Sequence, residues 1–463
     1  MVASEASPFA KTGGLGDVMG SLPAALARRG EQVAVVMPRY RIAEIPSSER
    51  IGRERTLWVG PHRFSVAFDQ VIRDGVRYLF VDCPPLFDRA GMYNEGGQDY
   101  PDNAVRFALL NRAALEAGRN IFRTDIFHCH DWPAGLLAPY LREFGADPLF
   151  FDARCVLTIH NLGYQGNFPH TALREVDLDS VHFHLEGLEF HGYLSFLKAA
   201  IVWSDAITTV SEAYAREIQT PEFGFGFEGL LRARAPKLTG ILNGADYSEW
   251  DPATDRLIPA NYSSADLVGK KLCKLALLDE LGLLPEPDRP LIGVVSRFVH
   301  QKGLDLLDDI APRLFDDQVA FAVLGSGDAS MEEMFRGLAH IRPRQFGVRI
   351  GYDNALAHRI EAGSDMFLMP SRYEPSGLSQ MYSLRYGTVP IVRATGGLDD
   401  TVDDQTGFKF HGYAAGSMLA AIRAALTAFQ DRTAWTDRMR LGMAKDFSWD
   451  LSASKYQQLY RSL

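Results

Sequence analysis

The residues best suited to chemistry lie in two short loops in the second half of the chain. Glu374 follows a buried apolar run, residues 365–370, which is typical of a parallel strand covered on both faces. A Thr-Gly-Gly sequence at 395–397 follows a second apolar run, residues 389–392. In an open α/β sheet, ligands bind where the strands end. One loop therefore offers a carboxylate for hydroxyl groups and the other bare backbone N–H groups for phosphate, and a sugar nucleotide needs both.

Two cations, Arg297 and Lys302, lie in another loop, after the apolar run 291–295. Such a pair can hold a diphosphate and neutralise a leaving group without a metal ion. The alternative is a solvated basic turn. Because the two glycine-bearing loops lie in the same half of the chain, we favour the diphosphate clamp.

A glycine-rich loop near the amino terminus, residues 11–17, separates a very short predicted strand (Val2 and Ala3) from a helix predicted to end at Arg29. Its glycines let the backbone approach a ligand, and the helix start favours anions. Lys11 adds a mobile cation and Asp17 a carboxylate. The loop matches neither the Walker pattern nor the dinucleotide fingerprint, so a plain strand-to-helix turn is the alternative.

Polar side chains also follow two predicted strands in the first half. Asp131 could bind sugar hydroxyls and Trp132 could stack on a pyranose, although a helix cap and a core residue are the alternatives. His160 could hydrogen-bond a hydroxyl or stabilise positive charge, although such a histidine is often structural. His128 and His130 have no third ligand at a convincing spacing, so we predict no metal site.

A scaffold of βα units with parallel sheets is predicted, because short apolar strands alternate with amphipathic helices in both halves. The turn-rich stretch 242–252 suits a hinge, and residues 449–460 predict a capped helix. The predicted strands cover residues 32–37, 78–81, 126–128, 155–159 and 206–210 in the first half, and 291–295, 320–324, 348–350, 366–369 and 389–392 in the second.

Composition narrows the class of protein. The chain has 463 residues, 46% of them hydrophobic, and a formal net charge of −10, which argues against nonspecific nucleic-acid binding and against docking on an anionic membrane. Its four cysteines are widely spaced, which argues against a disulfide framework. No secretory signal or membrane-spanning run is visible, so we expect a cytosolic protein.

Six motifs in order resemble the bacterial glycogen synthase and plant starch synthase family, which are retaining glucosyltransferases of the GT-B fold. The resemblance covers nearly the whole chain, and all six motifs together make a specific signal. They are Lys-Thr-Gly-Gly-Leu at 11–15, His-Asp-Trp at 130–132, Ile-His-Asn at 159–161, Ile-Leu-Asn-Gly at 241–244, Ser-Arg-Phe with Gln-Lys-Gly at 296–303, and Glu-Pro-x-Gly-Leu with Thr-Gly-Gly-Leu at 374–398.

The resemblance implies an α/β fold with two Rossmann-like, doubly wound parallel-sheet domains facing a central cleft. Residues 1–242 would bind the glucan acceptor, 243–252 would form a hinge, and 253–445 would bind the nucleotide sugar. Residues 446–463 would form a carboxy-terminal helix that packs back on the amino-terminal domain.

The resemblance also implies that the donor is ADP-glucose, that the acceptor is the nonreducing 4-hydroxyl of an α-1,4-glucan, and that no metal is required. It further implies a cytoplasmic bacterial protein, or a plastid one if a transit peptide was removed. Tyr352 would lie beside the adenine, and Asn243 would reach the sugar. The implied catalytic residues are Asp131, His160, Arg297, Lys302 and Glu374. The implied donor-binding residues are Lys11, Gly13, Gly14, Asp17, Asn243, Tyr352, Ser376, Gly377, Leu378, Thr395, Gly396 and Gly397, and weaker acceptor candidates are Tyr93, Tyr100 and Trp132.

The chain departs from the family pattern at two positions. Ser376 stands where many relatives have cysteine, and Tyr382 stands where GT-B enzymes often have a second glutamate. We expect activity to survive both. The alternatives are a transferase that uses UDP-glucose or another acceptor, and a catalytically inactive glucan-binding protein. Inactivity would be marked by loss of Arg297, Lys302 or Glu374, and all three are present.

Overall fold

The polypeptide passes between two units, each with its own sheet. The computed structural model describes residues 1–45, 47–143 and 147–463. The amino-terminal unit contains Met1–Val210, Ala215–Gly244 and Trp449–Leu463. The carboxy-terminal unit contains Ser211–Tyr214 and Ala245–Ser448.

The amino-terminal unit is built on a mixed sheet that also takes in the first residues of the chain. Its order is β13-β12-β8-β7 on one side and β1-β4-β3-β2 on the other. The strands of the unit are β1 (Ala34–Pro38), β2 (Glu49–Val59), β3 (His62–Arg73), β4 (Val76–Asp82), β5 (Asn94–Glu95), β6 (Gln98–Asp99), β7 (Ile126–His130), β8 (Arg154–Ile159), β9 (Asn167–Pro169), β10 (Glu189–Phe190), β11 (Tyr193–Ser195), β12 (Ala206–Thr209) and β13 (Leu238–Gly240).

Val2 joins the two halves of this sheet. It forms parallel bridges to Val36 of β1 and Cys129 of β7, and its N–H donates to the carbonyl oxygen of His128 at 2.8 Å. The predicted first strand is therefore present and is very short. Its position between β1 and β7 places the glycine-rich loop beside the loops that follow β7 and β8.

The antiparallel strands β2 and β3 were not among the predicted strands. They pair along most of their length, and most side chains of β2 are exposed or half-exposed. Because charged residues separate the few apolar residues of β2, it lacks the regular apolar alternation by which a half-buried strand is recognised. The small three-stranded sheet of the unit, β10-β11-β9, also consists of strands too short to show periodicity.

Helices cover this sheet, and the last one comes from the far end of the chain. Ser452 Oγ of that helix, α17, donates to the carbonyl oxygen of Leu242 at 2.6 Å. The helices of the unit are α1 (Gly14–Arg28), α2 (Pro84–Phe87), α3 (Asn103–Asn120), α4 (Leu137–Glu143), α5 (Ala172–Glu175), α6 (Phe196–Trp203), α7 (Glu212–Glu217, shared between the units), α8 (Glu228–Ala233) and α17 (Trp449–Arg461).

The carboxy-terminal unit is a six-stranded sheet in which every pair is parallel. Its order is β16-β15-β14-β17-β18-β19, so the winding reverses between β14 and β17. Ligands bind at such a reversal, outside the carboxyl ends of the strands. The strands are β14 (Leu291–Val295), β15 (Ala320–Gly325), β16 (Phe346–Ile350), β17 (Met366–Met369), β18 (Val389–Arg393) and β19 (Phe408–Phe410).

Two apolar clusters lie on the two faces of this sheet, as expected for buried parallel strands. All ten predicted strands are present in the two units. Among the residues described, no helix is long and apolar enough to span a membrane. The helices of this unit are α9 (Val268–Glu280), α10 (Leu306–Asp316), α11 (Ala329–Ile341), α12 (Asn354–Gly363), α13 (Ser379–Arg385), α14 (Gly396–Thr401), α15 (Ala415–Gln430) and α16 (Arg432–Met443).

Candidate active site

In the carboxy-terminal unit, the predicted cation and carboxylate are in direct contact. Lys302 follows β14 and Glu374 follows β17, the two strands at the reversal. Lys302 Nζ lies 2.6 Å from Glu374 Oε2, and Ser371 Oγ donates to the same oxygen at 2.9 Å. Glu374 is buried. The ion pair stabilises the carboxylate and fixes both side chains where a ligand of the sheet would lie.

Arg297 lies in the same loop as Lys302, but its environment is different. Its side chain is exposed, and its guanidinium makes no hydrogen bond or ion pair with the part of the chain that the structure describes. A guanidinium presents five donors in a planar fork that matches phosphate oxygens. Arg297 is therefore available to an anionic ligand without first losing a partner.

The loops 374–377 and 395–397 pack against each other through their backbones. The N–H group of Gly397 donates to the carbonyl oxygen of Glu374 at 3.0 Å. A Cβ at Gly397 would lie 1.8 Å from the carbonyl oxygen of Ser376, so only glycine fits there. The prediction of bare N–H groups in this loop is therefore wrong for Gly397.

Thr395 remains a candidate in that loop. Thr395 is 1% exposed, and its Oγ1 has no hydrogen-bond partner among the residues described. Gly396 begins α14 and lies so close to Glu374 that a Cβ there would be 2.0 Å from its carbonyl oxygen. A buried hydroxyl without a partner is uncommon in native proteins, and a ligand group is one way to satisfy it.

The turn before α13 holds Ser376, Gly377 and Leu378 in place. Gln380 Nε2 donates to the carbonyl oxygens of Ser376 and Gly377, both at 3.0 Å. Gly377 adopts a φ of 67°, a left-handed conformation that favours glycine. Tyr352 lies just after β16 and is 84% exposed, so its ring is accessible to a stacking partner.

In the amino-terminal unit, Asp131 and His160 lie together at the ends of β7 and β8. Asp131 Oδ1 accepts the N–H of His160 at 2.7 Å. Asp131 has a φ of 55°, which is unusual for a residue other than glycine, and such backbone conformations are concentrated at functional sites. Burial raises the pKa of Asp131 to about 7, although the backbone N–H donors of His160 and Asn161 oppose this.

His160 is neutral at physiological pH, because burial lowers its pKa to about 3. Its Nε2 lies 2.9 Å from Nδ1 of His130, and burial also holds the pKa of His130 well below its usual range. The arrangement therefore offers a neutral hydrogen-bonding imidazole beside a titratable carboxyl.

The glycine-rich loop is paired internally. Lys11 Nζ lies 2.6 Å from Asp17 Oδ1. The N–H groups of Thr12 and Gly13 donate to the buried carboxylate of Glu5, at 2.6 and 3.2 Å. Glu5 is not recognisable from the sequence, since a single glutamate before a loop carries no distinctive pattern.

The three acceptor candidates lie in packed surroundings. The ring of Trp132 contacts Phe107, with centroids 4.8 Å apart, and is half-buried. The guanidinium groups of Arg89 and Arg106 each lie 4.8 Å from the centroid of the Tyr100 ring. Tyr93 donates from its hydroxyl to Glu5 at 2.6 Å. The surroundings of Trp132 favour the core alternative for that residue.

Asn243 precedes the crossing between the units and belongs to the amino-terminal unit. It is 5% exposed, and its Oδ1 finds no hydrogen-bond partner in the described ranges. Within those ranges, no group of three or more His, Cys, Asp or Glu side chains could hold a metal ion.

Tyr382 stacks on Trp250, which lies near the start of the long stretch 245–448 of the carboxy-terminal unit. The ring centroids lie 4.2 Å apart with an interplanar angle of 3°. His358 also stacks on Trp250, with ring centroids 3.7 Å apart and an interplanar angle of 14°. The position of the second glutamate of other GT-B enzymes is thus used here for aromatic packing.

Comparisons with known proteins give the same architecture. A family model for a starch synthase catalytic domain matches residues 1–233, and one for glycosyl transferases group 1 matches residues 282–441. The catalytic domain of starch synthase IV from Arabidopsis thaliana, solved bound to ADP and acarbose, is 33% identical with a TM-score of 0.91, covering 100% of this chain and 98% of that one. Sucrose-phosphate synthase from Thermosynechococcus elongatus has a TM-score of 0.63 at 19% identity, covering 100% and 97%, and shares the fold.

The fold and the strand-end site define a glycosyltransferase of the GT-B class. Two bacterial relatives make the assignment narrower. Glycogen synthases from Koribacter versatilis and Myxococcus xanthus are 51% and 46% identical, covering 99% and 100% of this chain and 96% and 98% of the relatives. The chain belongs to the glycogen synthase and starch synthase family. It is a glucosyltransferase that uses a nucleotide-sugar donor and a glucan acceptor.

Proposed function

We propose that the protein transfers glucose from ADP-glucose to the nonreducing 4-hydroxyl of an α-1,4-glucan, with retention of configuration and without a metal ion. The observation that carries this proposal is the Lys302–Glu374 pair at the winding reversal, 2.6 Å apart. It sets a cation for phosphate beside a carboxylate for hydroxyl groups. The Arabidopsis starch synthase IV structure, solved with ADP and acarbose, supports the choice of nucleotide and of glucan.

In the proposed reaction, the bond from C1 of glucose to the β-phosphate oxygen breaks as the acceptor O4 attacks from the same face. The departing ADP takes the proton of the acceptor hydroxyl. This route needs no carboxylate nucleophile, and it agrees with the packing role of Tyr382. Arg297 and Lys302 would stabilise the negative charge that builds on the leaving group, and fixed electrostatic stabilisation of this kind often contributes more to catalysis than any other effect.

The remaining residues would bind the donor. Glu374 would hold the glucose hydroxyls, Tyr352 would lie beside the adenine, and the loop 395–397 would hold the distal phosphate. In this loop, the partnerless hydroxyl of Thr395 is the best-supported contact, since Gly397 already donates elsewhere. Asp131, His160 and Asn243 of the amino-terminal unit would contact the transferred glucose.

We further propose roles for the two units. The carboxy-terminal unit would bind the nucleotide sugar, because Lys302, Glu374, Thr395 and Tyr352 all lie in it. The amino-terminal unit would bind the glucan, and residues 243–252 would act as the hinge. Closure is required by the chemistry, because water would otherwise hydrolyse the donor.

The experiment is an assay of nucleotide release from the purified protein with ADP-glucose or UDP-glucose, with and without glycogen, in EDTA. We expect glycogen-dependent ADP release that survives EDTA. Nucleotide release only from UDP-glucose would overturn the assignment of ADP-glucose as the donor. Loss of activity in EDTA would overturn the metal-free mechanism, and no release from either donor by folded protein would favour the inactive glucan-binding alternative.

A further inference from the structure

Glu5 connects two segments that lie far apart in the sequence. It follows the Val2 strand and is 4% exposed. Its Oε2 accepts the N–H groups of Thr12 and Gly13, at 2.6 and 3.2 Å. Its Oε1 accepts the hydroxyl groups of Thr12 and Tyr93, at 2.8 and 2.6 Å. Four donors thus converge on one buried carboxylate.

This carboxylate occupies the place that a ligand phosphate would take in a glycine-rich loop. The N–H groups of Thr12 and Gly13 point at Glu5, so they are not available to an external anion. A Cβ at Gly16 would lie 2.4 Å from Cβ of Lys11 and 3.5 Å from Glu5 Oε2, so the loop also packs closely against its own helix. The consequence is a loop held in one shape by an internal anion, with the Lys11 side chain presented from it.

The second segment is a small exposed hairpin. Tyr93 precedes β5, and its carbonyl oxygen accepts the N–H of Tyr100 at 3.1 Å, which closes residues 94–99. The turn consists of Gly96 and Gly97, both with positive φ, as a type I′ hairpin turn requires. All residues of β5 and β6 are exposed. Their side chains are the amides and carboxylates of an Asn, a Glu, a Gln and an Asp, which suit hydrogen bonds with sugar hydroxyls.

We propose that Glu5 is a positioning residue that fixes the Lys11 loop and the 94–99 hairpin in one relative arrangement, and that the hairpin contacts the glucan acceptor. This inference rests on the proposed function. Glu5 itself does not touch the reacting atoms. Because one carboxylate holds both segments, disturbing it moves the hairpin and the loop together.

The test is Glu5→Gln, which keeps the size of the side chain but replaces one carboxylate oxygen with an NH₂ group. This NH₂ donor would face either the two N–H groups or the two hydroxyl groups that now donate to Glu5. We expect the KM for glycogen to rise about tenfold and kcat to fall, because both segments lose their anchor. The affinity for ADP, measured by calorimetry, should change less than the KM for glycogen, since most of the proposed nucleotide contacts lie in the other unit and only the Lys11 loop depends on Glu5. The matched control is Glu186→Gln, an exposed glutamate of the same unit, which should behave as wild type.

A readout independent of activity completes the test. In Glu5→Gln and in Tyr93→Phe, which removes one hydroxyl donor, amide hydrogen exchange should accelerate at residues 94–99. Exchange at residues 11–14 should accelerate only in Glu5→Gln. If the wild-type protein is active, an unchanged KM for glycogen in Glu5→Gln would overturn the inference. Unchanged hydrogen exchange at residues 94–99 in Glu5→Gln would overturn it as well. A wild-type protein without glucosyl transfer would instead contradict the proposed function, while the exchange experiment would still decide whether Glu5 couples the two segments.

Discussion

At the scale of single residues, the two proposed leaving-group cations differ in how they are held. Lys302 is half-buried and paired with Glu374 at 2.6 Å. Arg297 is exposed and makes no hydrogen bond or ion pair within the described residues. Removing Lys302 therefore leaves a buried carboxylate without its counter-ion, whereas removing Arg297 leaves nothing unpaired. The two substitutions separate catalysis from stability.

We predict that Arg297→Ala lowers kcat by roughly 10²-fold, the scale for losing one donor to a developing negative charge, with little change in stability. Lys302→Ala should lower kcat at least as much and also destabilise the fold by roughly 1–3 kcal/mol, because Glu374 loses a charged partner. Turnover assays and urea unfolding measure the two effects.

Lys302→Arg is the control, since it keeps a cation near Glu374 and should recover most of the stability lost in Lys302→Ala. An Arg297→Ala enzyme with unchanged turnover would contradict the leaving-group assignment. A Lys302→Ala protein as stable as the wild type would contradict the importance of the ion pair.

The candidate site is predictable from sequence to the extent that it depends on strand ends. Lys302, Glu374 and Asp131 can be recognised because each follows a buried strand, and the structure places each at such an end. Glu5 cannot, because its importance comes from Tyr93, 88 residues away along the chain. The engagement of the Gly397 N–H is hidden for a similar reason, since it depends on how closely two loops pack.

At the scale of elements, the predicted strands are those whose residues are buried on both faces. Strand β14, with four of its five residues buried, shows a continuous apolar run that sequence reveals at once. Strand β2 is mostly exposed and shows no such run, because its stability comes from pairing with β3 and not from its own burial. Val2 is a strand of a single residue, which is too short for any periodic signal.

One aromatic stack holds residues near position 250, where the chain enters the carboxy-terminal unit, against helices α12 and α13. Trp250 stacks with both Tyr382 and His358. Asp255 Oδ2 pairs with His358 Nδ1 at 2.8 Å and accepts the Tyr386 hydroxyl at 2.6 Å. Burial by itself would lower the pKa of His358, but the hydrogen bond with Asp255 and the carboxylate of Glu249, 3.9 Å from Nε2, prevail and raise it from 6.5 to about 9. The imidazolium therefore persists at neutral pH and lies over the face of Trp250, a favourable arrangement.

This stack predicts a loss of stability on the alkaline side. Because the folded-state pKa of His358 lies above the unfolded value, its contribution is complete below pH 6.5 and is lost as the pH rises through about 9. His358→Asn should lower the thermal midpoint at pH 6.5 and reduce its fall between pH 6.5 and about 9. Thermal unfolding of both proteins at several pH values measures this. Parallel curves for wild type and variant would contradict the role of His358.

At the scale of the whole molecule, the two structural units do not simply follow one another along the chain. The amino-terminal unit is assembled from three stretches of sequence, and the last, Trp449–Leu463, follows the entire carboxy-terminal unit. In this stretch, Ala453 and Tyr456 are fully buried and Trp449 is 6% exposed. A Cβ at Gly244 would lie 2.6 Å from Cα of Trp449, so the helix packs directly on the backbone.

We predict that deleting residues 449–463 destabilises the amino-terminal unit by roughly 3–6 kcal/mol, the amount expected when a few large buried side chains are lost. His128 would also lose Tyr460, whose hydroxyl lies 2.6 Å from its Nδ1. The carboxy-terminal unit keeps residues 245–448 and its own core, so ADP affinity should be retained while glucan-dependent turnover is lost. Calorimetric unfolding and ADP titration of the truncated chain measure the two effects.

The control for this deletion is Asp450→Asn, which removes only an exposed ion pair with Arg28 and should leave the unfolding midpoint unchanged. If truncation abolished ADP binding together with turnover, the carboxy-terminal unit would depend on the last helix and could not hold the nucleotide alone. If truncation left the amino-terminal unit as stable as before, the buried face of α17 would contribute little. Only selective loss of the amino-terminal unit agrees with a chain whose final helix completes its first domain.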